Sequence, residues 1–141
     1  MDEADLLFQL DGDADVMKYI TLGIPRTMDE VIEKSMPRVL QSYQDKSDFG
    51  IFAAYLISSD KYIGWFQFEK DKEFVDSIEI GWRLKKQYWG NGYATEVAIV
   101  LCELAIKMGK SIVARAMIEN NASIRVMEKV GLKLSLIHIS E

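Results

Sequence analysis

The sequence predicts an α/β fold in which a mixed sheet is flanked by helices, and three observations carry that prediction. Ser77-Ile78-Glu79-Ile80-Gly81-Trp82-Arg83-Leu84 places Ile78, Ile80, Trp82 and Leu84 at a spacing of two, as a strand with one buried face requires. Ala94, Val97, Ala98, Leu101, Leu104, Ala105 and Met108 recur at i, i+3, i+4 and i+7, the stripe of an amphipathic helix packed on a sheet. Between the two runs lies a glycine-spaced turn, Gln87-Tyr88-Trp89-Gly90-Asn91-Gly92-Tyr93-Ala94-Thr95. A chain of 141 residues, 49% of them apolar, suits one domain with a core, and no linker or repeat divides it.

The elements follow in chain order. Ala4 to Leu10 reads as a short amphipathic helix, Asp11 to Asp13 as a turn, and Val16 to Ile20 as a second short helical piece; both pieces are expected to border a cleft. Thr27-Met28-Asp29-Glu30 has the spacing of a capping box, so a helix begins there and runs towards Tyr43, bent or restarted at Pro37. Phe49 to Ile57 and Lys61 to Phe68 are aromatic and β-branched runs separated by Ser58-Ser59-Asp60, an antiparallel hairpin. The strand of Glu79 is broken by Lys85 and Lys86. The next helix begins near Gly92, and a strand over 111–117 and a helix from about Ala122 to Lys129 close the pattern, with Gly131 suited to a C-cap.

The turn before the long helix reads as a phosphate cradle. The first helical turn leaves backbone N–H groups without intrahelical partners, and Gly90 and Gly92 lack the Cβ that would hold an anion away. A P-loop needs Lys and Ser or Thr after its second glycine, where this chain has Tyr93-Ala94. A dinucleotide fingerprint needs an acidic ribose partner about twenty residues on, where this chain starts the apolar run Ile112-Val113. The other reading is that the glycines merely shape a strand-to-helix turn. The remaining pattern, Gln87-x-x-Gly90-x-Gly92, resembles motif A of the GNAT superfamily of acetyl-CoA-dependent N-acetyltransferases. Tyr88 to Glu96, together with Asn120-Asn121-Ala122-Ser123-Ile124-Arg125-Val126-Met127-Glu128-Lys129-Val130-Gly131, resembles the RimJ/RimL-type branch, and the likeness runs from the first residues to about Lys133.

The resemblance implies a GNAT-type mixed sheet whose central parallel strands splay apart, with the pantetheine arm of acetyl-CoA in the gap. It implies cofactor contacts from Trp82, Arg83, Leu84, Gln87, Gly90, Asn91, Gly92, Tyr93, Ala94, Thr95 and Asn120, the backbone N–H groups around Trp82 polarising the thioester oxygen. It also implies direct attack of an acceptor amine on the thioester. An ammonium with an ordinary pKa near 10 must first lose a proton, and Glu79 is the candidate base. Its alternation sets it with Gly81 and Arg83, and the alternative is a rim carboxylate paired with a nearby cation. Ser123 is a candidate acid, or only a helix cap, as Asn120 is alternatively. The family often carries a tyrosine seven residues beyond that asparagine to protonate the leaving thiolate; here Met127 stands there and cannot donate. The expected function is therefore acetyl transfer to a protein N-terminus or a small-molecule amine, an antibiotic or polyamine included. The alternative is a CoA-binding module with little turnover.

Composition sets the remaining bounds. Cys102, the single cysteine, falls inside the helix after the cradle, which excludes a disulfide framework and cysteine-rich metal sites. A formal charge of -5 argues against broad nucleic-acid binding and fits a cationic acceptor. No apolar run approaches the roughly twenty residues of a membrane span, and the expected location is cytoplasmic. Family members usually open with a strand of the type Thr-x-Arg-Leu-x-Leu-Arg, whereas this chain starts within the first helix. Leu134-Ser135-Leu136-Ile137-His138-Ile139-Ser140-Glu141 can be encoded by CTG TCT CTT ATA CAC ATC TCC GAG, which resembles a transposase mosaic-end adapter read in frame. The expectation is a partial domain over 1–133 and a non-native tail over 134–141, the alternative being a natural strand, so His138, the only histidine, receives no role.

Overall fold

The computed structural model describes residues 2–43, 49–116 and 120–131. The tail 134–141 and His138 lie outside the described residues, as does Met117 at the end of the expected strand. Four strands, β1 (Gly50–Tyr55), β2 (Tyr62–Lys70), β3 (Ser77–Leu84) and β4 (Ser111–Ala114), form one sheet in the order β1-β2-β3-β4. The first two pairings are antiparallel and β3 with β4 is parallel, which makes the sheet mixed, as expected.

Helix α1 (Glu3–Asp11) begins at Asp2, whose carboxylate accepts from the Asp5 N–H. The expected piece at Val16 to Ile20 is instead a succession of turns, in which Met17 O accepts from the N–H groups of Ile20, Thr21 and Gly23. The apolar spacing was right, since Val16 and Met17 join Leu10 and Tyr62 in a buried cluster; Asp13 caps the Asp15 and Val16 N–H groups as at a helix start, but the chain closes on Met17 O and leaves through left-handed Leu22 and Gly23 before a helix extends. The Thr27 capping box is present in both directions: Glu30 N–H donates to Thr27 Oγ1 and Thr27 N–H donates to a Glu30 carboxylate oxygen. After α2 (Met28–Glu30), the five residues Val31–Ser35 widen into a π-helical turn before α3 (Met36–Gln41). Pro37 explains the change, because it has no N–H and its ring crowds the carbonyl one turn back.

The 15-residue helix α4 (Tyr93–Lys107) covers one face of the sheet, where Ile78, Ile80, Phe68 and Phe49 pack on Ala98, Cys102 and Ala105. Cys102 is buried there. Leu104 and Met108, expected inward, remain about 40% exposed: the buried face of α4 is centred on Ala98, Cys102 and Ala105. Helix α1 and the turns after it cover the opposite face through Leu10, Met17, Tyr62 and Trp65. A bulge at Ala54/Tyr55 lets β2 serve both layers, Tyr62 facing α1 while Ile63 and Phe66 face α4. Helix α5 (Asn121–Lys129) ends with Gly131, whose N–H closes onto Glu128 O. No described helix is long and apolar enough to cross a membrane.

One ion cluster ties the α1 layer to the sheet. Asp11, fully buried, receives Arg83 Nη1 at 2.7 Å on one oxygen, and Arg26 Nη1 at 3.4 Å and the Ser35 hydroxyl on the other. Arg26 Nη1 also donates to Ser35 Oγ at 2.8 Å. Burial pulls the Arg83 guanidinium below its ordinary pKa, and the Asp11 carboxylate opposes that pull.

Candidate active site

The cradle forms where the chain leaves β3. A single 3-10 turn, Lys86–Tyr88, is followed by Gly90 at φ +78° and Gly92 at φ +80°, left-handed values that residues with a Cβ seldom adopt. A Cβ built on either glycine meets no atom within 4 Å, so both face open space. Trp89 Nε1 donates to Leu84 O at 2.9 Å, and Asn91 Nδ2 donates to Tyr88 O and Trp89 O at 3.2 Å each, so two side chains hold the turn in shape. Gly92 is the N-cap of α4 and supplies no side-chain acceptor; the N–H groups of Tyr93, Ala94 and Thr95 therefore head the helix without intrahelical partners. The rings of Tyr88 and Tyr93, 6.4 Å apart, pack beside the Ile63, Phe66 and Leu84 cluster together with Ala94. Gln87 is exposed on the outer side of the turn.

The hydrogen bonds at the two ends of β3 fix which way its backbone points. Asp71 N–H donates to Ser77 O at 2.9 Å and Lys85 N–H donates to Ile63 O at 2.8 Å. Backbone groups alternate sides along a strand, so the odd-numbered residues from Ser77 to Lys85 turn towards β2, and Ile78, Ile80, Trp82 and Leu84 turn towards β4. Pairing with β4 stops at Ile80↔Ala114. Beyond that point the N–H and C=O of Trp82 and the N–H of Leu84 face a gap in which no described strand pairs with them, and Leu84 O takes the Trp89 indole instead. This is the splay expected between the parallel strands, and it opens beside the cradle.

A cleft of about 180 Å³ enters this gap, walled by Glu79, Gly81, Trp82 and Arg83 from β3, by Arg115 and Ala116 after β4, and by Asn120, Ser123 and Met127 at α5. Tyr19 and Ile20 from the turns, with Trp65 and Gln67 from β2, complete the wall. Glu79 is on the face of Gly81 and Arg83, opposite buried Ile78 and Ile80, as its alternation requires. One of its oxygens accepts from Gln67 Nε2 at 3.2 Å and the other lies 3.2 Å from Arg115 Nη1. The cation that the alternative reading of Glu79 called for is thus present, in the same cleft. Arg83 bonds β2 with its backbone, gives Nη1 to Asp11, and stacks its guanidinium 4.9 Å from the Trp65 ring centre. Trp82 directs its ring into the α4 side of the core.

Asn120 caps α5, its Oδ1 accepting from the Ser123 N–H at 3.2 Å. Ser123 and buried Met127 are one turn apart on the helix face that meets the cleft. The structure therefore brings Glu79, Trp82, Arg83, Asn120 and Ser123 to one cleft, and it sets Leu84, Gln87, Gly90, Asn91, Gly92, Tyr93, Ala94 and Thr95 at or around the cradle that adjoins it. Sequence reasoning missed Arg115, Gln67 and Trp65. The available signal for Arg115 was a charged residue directly after the apolar run Ile112-Val113-Ala114.

The site's residues suit coenzyme A: the glycines leave room that a Cβ would fill, and main-chain groups of β3 beside them have no strand partner among the described residues. A family profile described as an acetyltransferase (GNAT) domain matches residues 1–133. The FsC-acetyl coenzyme A-N(2)-transacetylase of Aspergillus fumigatus is 29% identical across 91% of this chain, and the chain spans 57% of that protein's length. A GNAT-family acetyltransferase from Bacillus anthracis, a solved structure, superposes with a TM-score of 0.72 at 30% identity, over 92% of this chain and 73% of its own. An aminoglycoside acetyltransferase, AAC(6')-Ib, solved with coenzyme A, shares the fold with a TM-score of 0.69 at 23% identity, over 93% and 80%. With the cradle, the split sheet and the matched profile in agreement, the chain belongs to the GNAT family of acetyltransferases.

Proposed function

We propose that this chain transfers the acetyl group of acetyl-CoA to a primary amine, by direct attack of the amine on the thioester. The observation that carries the reading is the stretch of β3 beyond Ile80, whose Trp82 backbone faces the gap beside a glycine cradle at the head of α4. The N–H groups of Gly92, Tyr93, Ala94 and Thr95 would hold the pyrophosphate, an anion at a helix start. The Trp82 N–H donates to the thioester oxygen as it gains charge, and Leu84 and Asn120 border the arm. As the N–C bond forms and the C–S bond breaks, the proton of the amine passes to the Glu79 carboxylate, directly or through water, and the sulfur leaves as thiolate. A thiolate is a tolerable leaving group, and Ser123 is the hydroxyl nearest in sequence to the position where Met127 replaces a donor.

The acceptor is a protein N-terminus or a small-molecule amine, the former favoured by the RimJ/RimL-like motifs, in a cytoplasmic setting. One observation favours a second reading, a CoA-binding module with little turnover: Met127 lines the cleft where a proton donor would serve the thiolate. Thioester-dependent acetylation of an amine panel, before and after Glu79→Gln, separates the two. A large loss of turnover at retained acetyl-CoA binding supports transfer with Glu79 as base. Binding without turnover in the unaltered chain supports the second reading.

A further inference from the structure

What holds Glu79 in the cleft comes from the far side of the split. Arg115 follows Ala114, the last residue of β4, at the point where β4 leaves β3. Its guanidinium reaches back across β3: Nη1 donates to Asp71 Oδ1 at 2.6 Å and lies 3.2 Å from Glu79 Oε2, while Nη2 donates to Asp71 Oδ2 at 3.2 Å and Glu73 Oε1 at 3.0 Å. Asp71 is a fixed anchor. Its carboxylate side chain is covered, and Oδ2 also receives the N–H groups of Glu73 at 3.0 Å and Phe74 at 2.7 Å. Glu69 stands opposite Glu79 in the β2–β3 register, but its charge is met by Arg38 at 2.6 Å and by Gln67 at 2.9 Å. Among the described residues, Gln67 and Arg115 are thus the two groups that aim the Glu79 carboxylate.

We infer that Arg115 is a positioning residue for acetyl transfer: strapped to Asp71 and Glu73 in the β2–β3 turn, it sets both the direction of the Glu79 carboxylate and the place where β4 parts from β3. The inference rests on the reading of Glu79 as base. It depends on the planar fork of arginine, which serves several carboxylate oxygens at once; a lysine ammonium at the same position satisfies the Asp71 charge but cannot hold that geometry. Misplacing a reacting group by about 1 Å costs on the order of 100-fold in rate.

The test is a double-mutant cycle of Arg115→Lys and Glu79→Gln, read as kcat, KM for acetyl-CoA and thermal melt. Arg115→Lys is expected to lower kcat at least tenfold while KM for acetyl-CoA stays within about twofold, and to add no loss on a Glu79→Gln background. An unchanged kcat with a lowered melt shows a purely structural strap and overturns the inference. Additive losses show that Arg115 acts apart from Glu79, which overturns the inference while the base reading stands. Unaltered turnover in Glu79→Gln alone removes the base, and the inference with it. If Arg115→Lys loses its cooperative melt, Asp71→Asn removes the anchor while keeping Arg115, and the same cycle decides.

Discussion

Replacing Gly92 with alanine tests the cradle, because strain and ligand exclusion separate in magnitude. Gly92 has φ +80°, and a methyl group there meets no protein atom within 4 Å. The folding cost is therefore the left-handed backbone alone, about 1–2 kcal/mol. For a chain of this size that corresponds to roughly 3–8 °C in melting temperature. On the proposed reading acetyl-CoA would meet a different obstacle, since the methyl would stand at the helix start, where the phosphate oxygens would approach the N–H groups. Losing one charge-assisted hydrogen bond costs about 1.5–3 kcal/mol, roughly a 10- to 100-fold rise in Kd. Gly109 provides the control, because it has φ +73°, equally open surroundings, and a position just beyond the other end of α4. Isothermal titration with acetyl-CoA, beside a melt of each variant, is the assay. Gly92→Ala and Gly109→Ala should melt alike, and only the first should bind weakly. Equal affinity in the two variants would refute the cradle at Gly92.

The remaining predictions concern the supports of the site. Asn91→Ala removes both hydrogen bonds that tie the turn to Tyr88 and Trp89 and should weaken acetyl-CoA binding about three- to tenfold with a small change in melt, followed by titration. The Arg115 guanidinium, aided by the Glu73 and Phe74 N–H groups, holds the Asp71 carboxyl down at about 2 against an ordinary 3.8. A carboxylate with a depressed folded-state pKa contributes stability that is present above the ordinary value and is lost as pH falls through the lowered one. Asp71→Asn should therefore cost about 1–2 kcal/mol at pH 6, screening at partly exposed Arg115 included, and the difference should fade between about pH 4 and 2 in urea unfolding. Burial pushes the Cys102 thiol up, so a thiol reagent near pH 8 should leave the folded chain unlabelled and modify it fully in denaturant.

The parts of the fold that were legible in the sequence are those where one periodicity governs a whole element. Alternation in β3 separated its buried Ile78 and Ile80 from the cleft-facing side of Glu79, and the Thr27-x-x-Glu30 spacing marked a capping box that is present in both directions. The turn segment at Val16 reads as a helix because its apolar spacing satisfies packing under α1 and Asp13 caps it like a helix start, while the closure on Met17 O and the left-handed Leu22 and Gly23 that end it leave no mark in the periodicity. The end of the α4 stripe misled because Leu104 and Met108 fit the helical period, but the sheet covers the helix along Ala94, Val97, Ala98, Leu101, Cys102 and Ala105. For the site, the glycines were readable because they serve local geometry. Arg115 was not, because its meaning depends on Asp71 and Glu73 more than forty residues earlier in the chain.

The cluster around Asp11 joins the near wall of the cleft to its floor. Arg83 belongs to the floor, and Arg26 and Ser35 belong to the segments that follow Tyr19 and Ile20 in the wall. Because one shielded carboxylate is shared by both guanidinium groups, withdrawing α1 would strand the largely buried Arg83 and the part-exposed Arg26 without it, at about 3 kcal/mol, the lower end for a broken buried pair. The wall and the floor accordingly rise or settle together. Substrate entry by swinging the Tyr19 segment outward alone is disfavoured, and any shortening of the chain that deletes Asp11 should loosen β3 and the cleft as a unit.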